Sequence, residues 1–147
     1  MSRQLLIGTW ELVSFELHTI GGDELSPLGD APIGIVIIDK SGYMSAQLSR
    51  GDRASFSSDP PTPVEIQTAF MGFIAYFGKY RIDEKKQTFT TRVQGSSNPD
   101  WIGEDQIRYY EMKDNHLILK TMPMKVKSLG GIEVVGTVVW KKVEPVS

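Results

Sequence analysis

The feature that most constrains this chain is a train of short β-rich stretches cut apart by clusters of Gly, Asp, Asn, Ser and Pro. That spacing is the signature of an all-β sandwich or barrel. Eight strands are predicted, at residues 9–20, 34–39, 43–50, 75–83, 87–94, 104–113, 117–124 and 132–143. Lys40-Ser41-Gly42, Glu84-Lys85-Lys86 and Asp114-Asn115-His116 are short enough to make hairpins, so sequential neighbours should pair antiparallel. One stretch breaks the pattern. Thr62-Pro63-Val64-Glu65 combines a Thr cap, Pro at the first helical position and Glu three residues after the cap. A short helix is therefore expected between the third and fourth strands, and Ile66, Ala69, Phe70 and Phe73 on one face should pack it against the sheet or across one end. Eight strands curl shut most economically, so the expected fold is all-β, an eight-stranded antiparallel up-and-down barrel. A β-sandwich is the alternative, less easily reconciled with a mid-chain helix.

At 147 residues the chain is read as a single domain, 1–147, with no repeat, and the Ser- and Pro-rich stretch 51–61 as its mobile segment. Composition removes most chemistries. There is no cysteine, which excludes thiolate metal sites, Cys nucleophiles and disulfides, and there are only two histidines. Neither a metal nor another cofactor is expected. Sixteen Lys plus Arg against eighteen Asp plus Glu, without a block of one sign, argue against nucleic acid or an anionic membrane as partner. The apolar run at 69–77 is half of the roughly 18 residues a membrane span needs. The opening Leu5-Leu6-Ile7 is too short for a signal peptide, so the expected location is cytoplasmic and the expected state a monomer or homodimer. No phosphate loop or nucleophile elbow occurs.

With the strands placed, Gly8-Thr9-Trp10 resembles the G-x-W opening of lipocalin and calycin barrels, in which the Trp plugs one end. Pro27-Leu28-Gly29, Gly42-Tyr43-Met44, Tyr76-Phe77-Gly78-Lys79-Tyr80, Asn98-Pro99-Asp100-Trp101, Gln106-Ile107-Arg108 and Thr121-Met122-Pro123 extend the resemblance to the small bacterial and fungal lipocalin-like domain family. Two departures stand out. Thr90-Thr91-Arg92 holds no histidine where the family pattern has one, and Trp140-Lys141-Lys142 lacks the Arg that often follows. The resemblance implies a cavity for a small, partly apolar organic molecule. Cofactor-independent isomerisation or cyclisation in a natural-product pathway is the alternative activity it implies.

Parity along each strand then proposes which side chains face the cavity. With Trp10 inward, Leu12, Ser14, Glu16 and His18 share its face, leaving Val13, Phe15 and Leu17 outside. Either a bulge flips the parity midway, or the inner face is polar for a purpose. In the second case Glu16 and His18 form an acid/base pair; otherwise they sit at the solvated end of a long strand. An inward Arg108 needs a carboxylate or an anionic ligand, and Glu16 is its natural internal partner. Glu16, His18 and Arg108 are thus the candidate catalytic residues. Gln47, Tyr76, Tyr80, Gln106, Tyr110 and Thr121 are candidate ligand contacts, with Trp101 as a lid over the mouth and Trp140 as wall or core. Gly78 between Tyr76 and Tyr80 leaves room for a ring or for a close backbone approach. His116, in a hairpin turn, is assigned no function.

Overall fold

A computed structural model describes residues 2–126 and 129–146. The chain runs α1 (Ser2–Leu6), β1 (Gly8–Thr19), β2 (Glu24–Leu25), β3 (Ile33–Ile38), β4 (Tyr43–Ser49), α2 (Pro63–Met71), β5 (Phe73–Asp83), β6 (Thr88–Ser96), a 3-10 turn (Pro99–Trp101), β7 (Asp105–Lys113), β8 (His116–Thr121), β9 (Met124–Val126) and β10 (Ile132–Lys142). Eight strands pair antiparallel in the order β1-β3-β4-β5-β6-β7-β8-β10, and β10 returns to β1. The barrel is closed, as the strand spacing predicted. The short strands β2 and β9 extend β1 and β10 at one end.

Up-and-down topology gives the barrel two unlike ends. The tight turns after β3, β5 and β7 lie at the same end as α1, and the long connections 20–32, 50–72, 97–104 and 122–131 lie at the other. The first end is sealed. Trp10 is fully buried and donates from its indole N–H to the Leu6 carbonyl at 3.0 Å, which seats α1 as a plug with Leu6 buried beneath it. The Lys142 ammonium sits 4.7 Å from the centroid of the Trp10 ring and donates to the Ile7 carbonyl. A cation over an indole face is favourable, and it fills the position where the resemblance leads one to expect Arg. Gly8 is required here: its φ is 142°, and a Cβ would meet the Lys142 side chain at 2.4 Å. Tyr80 belongs to the same seal. Its hydroxyl donates to the Asp39 carbonyl at 2.7 Å, its ring stacks on Phe89 with centroids 5.0 Å apart, and the Arg3 guanidinium lies over it. Ile38, Met44, Tyr110, Leu117 and Trp140 complete this packed half.

Two local features differ from the sequence reading. β1 carries a bulge: Leu12 pairs with Trp140 and Ser14 with Val139, so Val13 is the extra residue. Beyond it Phe15 and Leu17 turn inward opposite Val138 and Gly136, while Glu16 and His18 turn to the outer wall. Apolar burial explains the flip, since unbroken parity would have put Phe15 and Leu17 in water and two polar side chains inside. The helix α2 forms as its cap predicts. Thr62 Oγ1 accepts from the Glu65 N–H, and the Glu65 carboxylate accepts from the N–H groups of Thr62 and Ser57, which holds its pKa at about 2. It does not pack as predicted. None of its residues is buried, and Ile66 and Phe70 keep half their surface in water.

Gly78 shows why its strand needs a glycine. β5 and β6 change register between Phe77 and Gly78, and the Arg92 carbonyl passes so close that a Cβ would meet it at 1.9 Å. The close backbone approach, and not room for a ligand ring, accounts for the residue. Gly78→Ala should cost about 2–4 kcal/mol through forced backbone displacement. Urea denaturation checks this, and an unchanged midpoint would refute it.

Candidate functional site

Above the seal the inner face is less completely buried. Leu12, Phe15, Ile74, Tyr76, Gln106, Arg108 and Leu119 share the inner face with fully buried neighbours, yet each keeps part of its surface in solvent. These partly exposed inward side chains lie mostly toward the end with the long connections, and they are the candidate lining of an interior ligand space. The wall is mainly apolar, with Val93 and Leu48 adding to it. Leu28, from the segment between β2 and β3, is buried in the same cluster as Val36, Ala46 and Leu48 and narrows the mouth.

Among the described residues Arg108 is the one charged side chain on the inner face away from the seal. It lies between Phe89 on β6 and Thr121 on β8, both buried. Its guanidinium donates to Gln106 Oε1 at 2.8 Å and to the Ile107 carbonyl at 3.1 Å. Both partners are neutral. Among the described residues it makes no ion pair, so the expected Glu16 partnership does not form. Gln106 orients the head of Arg108, and with its amide oxygen committed there its NH2 group remains to donate. A half-buried guanidinium with neutral partners is a site for a carboxylate, an enolate or a polarised carbonyl.

An aromatic pair stands nearer the end with the long connections. Trp101 closes edge-on against Tyr76, with centroids 5.7 Å apart and planes at 87°. The Trp101 turn is fixed from outside. Asn98 caps it through the Asp100 N–H, Arg92 Nη1 donates to the Gly103 carbonyl, and Asp105 takes Arg81 at 3.0 Å and Arg92 at 2.8 Å. The hydrogen bond from Arg81, with the charge of Arg92 added, holds the Asp105 carboxyl below its usual range.

The structure thus brings Gln106, Arg108 and Thr121 together on β7 and β8, although the Thr121 hydroxyl is occupied by the Gly136 N–H at 2.8 Å, and it pairs Tyr76 with Trp101 nearer the end with the long connections. It separates the others from them. His18 is exposed on the outer wall, and Glu16 lines a shallow outer cleft of about 200 Å³ beside Glu24 and Asp30. Gln47 is exposed on the outer face of β4, because Met44, Ala46 and Leu48 take the inner one. Tyr80, Tyr110 and Trp140 point inward but lie in the packed half. A larger depression of about 820 Å³ runs over the outer faces of β5–β7, around Thr88, Thr90 and Tyr109, and is not part of the interior. The sequence reading placed Leu12 on the inner face but missed Phe15, Ile74 and Leu119 there. The apolar spacing of Phe15 and Leu17 was the signal that pointed past the bulge.

A family model described as a lipocalin-like domain matches residues 7–143. The chain belongs to the lipocalin-like domain family. No curated protein matches it. Membership accounts for the closed eight-stranded barrel. Thr91, where the family pattern led one to expect a histidine, faces inward opposite Gln106 and Tyr80 and is almost wholly buried.

Asp105 should therefore govern the lipocalin-like rim. A carboxylate with a depressed pKa stabilises above its ordinary value of about 3.8 and loses that effect as pH falls through the lowered value. Asp105→Asn at pH 7 should shift Trp101 emission to the red, a change wild type shows only below pH about 3.8. Trp10 and Trp140 are buried and should not contribute to it. Emission identical in both proteins at pH 7 would remove the role of Asp105.

Proposed function

We propose that this lipocalin-like barrel binds a small, partly apolar organic molecule in its open half, with an anionic or strongly polarised oxygen of the ligand on Arg108 and Gln106. The observation that carries the reading is Arg108 itself, a guanidinium on the inner face of an apolar cavity whose protein partners are both neutral. Desolvating such a group is costly unless an acceptor satisfies it. Apolar walls give affinity, and one convergent polar cluster gives orientation, as in small-molecule sites generally. Tyr76 and Trp101 supply aromatic faces at the mouth.

The alternative, a cofactor-independent isomerase or cyclase of a natural-product pathway, needs a proton acceptor inside the barrel. Glu16 and His18 are on the outer wall, and the inner faces of the eight strands carry neither a carboxylate nor an imidazole. The interior therefore favours binding. Arg108 and Tyr76 could still stabilise enolate charge, provided the base comes from the ligand. Among the described residues no helix is long and apolar enough to cross a membrane. A cysteine-free chain also fits the reducing cytoplasm.

Native mass spectrometry of protein purified without denaturation should show a co-purified small molecule. Arg108→Met should weaken its binding about 10- to 100-fold, the loss expected for charge-assisted hydrogen bonds. His18→Ala and Glu16→Ala should leave binding unchanged. Equal affinity in Arg108→Met would overturn the reading, and loss in His18→Ala would restore the catalytic one.

A further inference from the structure

The helix α2 is out of keeping with its surroundings. Val64, Ile66, Phe70 and Met71 are 71%, 53%, 50% and 62% exposed, and no residue of the helix is buried. A surface helix of a packed domain ordinarily turns such a stripe to the core. Nothing in its sequence is defective as a helix, because the Thr62–Glu65 capping box and the bond from Ser57 stabilise it locally. It is a preformed element without a bed.

Its tethering limits what can cover it. The excursion 50–72 is pinned at its base, where the Arg50 N–H donates to the Gly72 carbonyl at 2.9 Å. Arg53 adds a second tie, with Nη2 on the Ala69 carbonyl and the guanidinium over the Phe73 ring. The helix then runs straight into β5, whose first inward residues, Ile74 and Tyr76, are the half-exposed lip of the cavity. The apolar stripe and the apolar mouth are therefore at the same end and on one continuous stretch of chain. Nine residues at a rise of about 1.5 Å make an element comparable in length with the opening of a small barrel.

We infer that α2 is the lid of this barrel, and that the ligand in the mouth is what covers Ile66 and Phe70. The inference rests on the cavity reading above. Before binding, the stripe stays in water; with an apolar ligand protruding past Tyr76, the helix swings on its pinned base and buries ligand and stripe together. Closure then adds apolar contact that only the bound state possesses, so it acts on release more than on capture.

The test uses an aromatic sulfonate, anilinonaphthalene sulfonate, whose anion suits Arg108 and whose rings suit the wall. Because the chain has no cysteine, Thr68→Cys and Asp100→Cys introduce two unique labelling positions, both exposed and away from Ile66 and Phe70. Spin labels there should show a shorter and narrower distance distribution when the probe saturates the protein. The double variant Ile66→Ser with Phe70→Ser should release the probe at least ~10-fold faster, with an unchanged melting temperature because both side chains are already half in water. Arg108→Met separates the two readings. If it weakens probe binding while the label distances and the release rate of the serine variant stay at wild-type values, the lid is wrong and the cavity stands. If it has no effect on the probe, or the probe does not bind at all, the cavity reading falls and the lid with it.

Discussion

The pairing of β1 with β10 is the contact on which the rest depends. An antiparallel sheet of eight strands that failed to close would present two free edges and two faces, with half of its apolar side chains in water. Closure converts one of those faces into an interior. The same pairing carries the bulge at Val13, and the bulge decides what the interior contains. Without the extra residue Glu16 and His18 would enter the barrel, and Arg108 would meet a carboxylate. With it Phe15 and Leu17 line the wall, and Arg108 is left to neutral partners. A single backbone irregularity therefore separates an interior with a carboxylate and an imidazole from one with neither.

The two ends divide the work between stability and function. Trp10, Leu6, Lys142 and Tyr80 are held by hydrogen bonds and ring contacts that leave no side chain of the seal free to move toward a ligand. Deep burial of aromatic and aliphatic side chains there supplies hydrophobic stabilisation of roughly 2–3 kcal/mol for each large residue. The other end is packed less completely, with Leu12 and Leu119 only partly buried. A barrel filled from end to end would be more stable and would have nowhere to put a ligand.

The eight barrel strands and the cap of α2 were legible in the sequence because alternation and turn chemistry are local signals. The helix α1 was not, since five residues without a cap are ordered by the indole of Trp10 reaching back to Leu6. The strands β2 and β9 are two and three residues long and exist only because the ends of β1 and β10 offer them a partner. The bulge left a trace, an apolar set that moved from Trp10 and Leu12 to Phe15 and Leu17, but no glycine marks it. Of the site, Gln106, Arg108, Tyr76 and Trp101 could be picked by residue type and parity. Gln47 and the Glu16/His18 pair could not be rejected, because rejecting them requires the register of their neighbours.

The charge of Arg108 bears on what this interior can hold. A guanidinium on an apolar wall is tolerated only while water or another acceptor reaches it, and Arg108 keeps part of its surface in water. A purely apolar ligand would displace that water and strand the charge, so it would bind weakly however well it filled the walls. A ligand with an acceptor at one end and rings or chain at the other offsets the lost hydration with charge-assisted hydrogen bonds. Gln106 sharpens the requirement, because an oxygen on Arg108 also meets an amide donor beside it. Under the binding reading, selectivity would thus come from the cost of leaving one half-buried cation unsatisfied, and the apolar walls, which would accept almost any hydrophobe, would set only the strength.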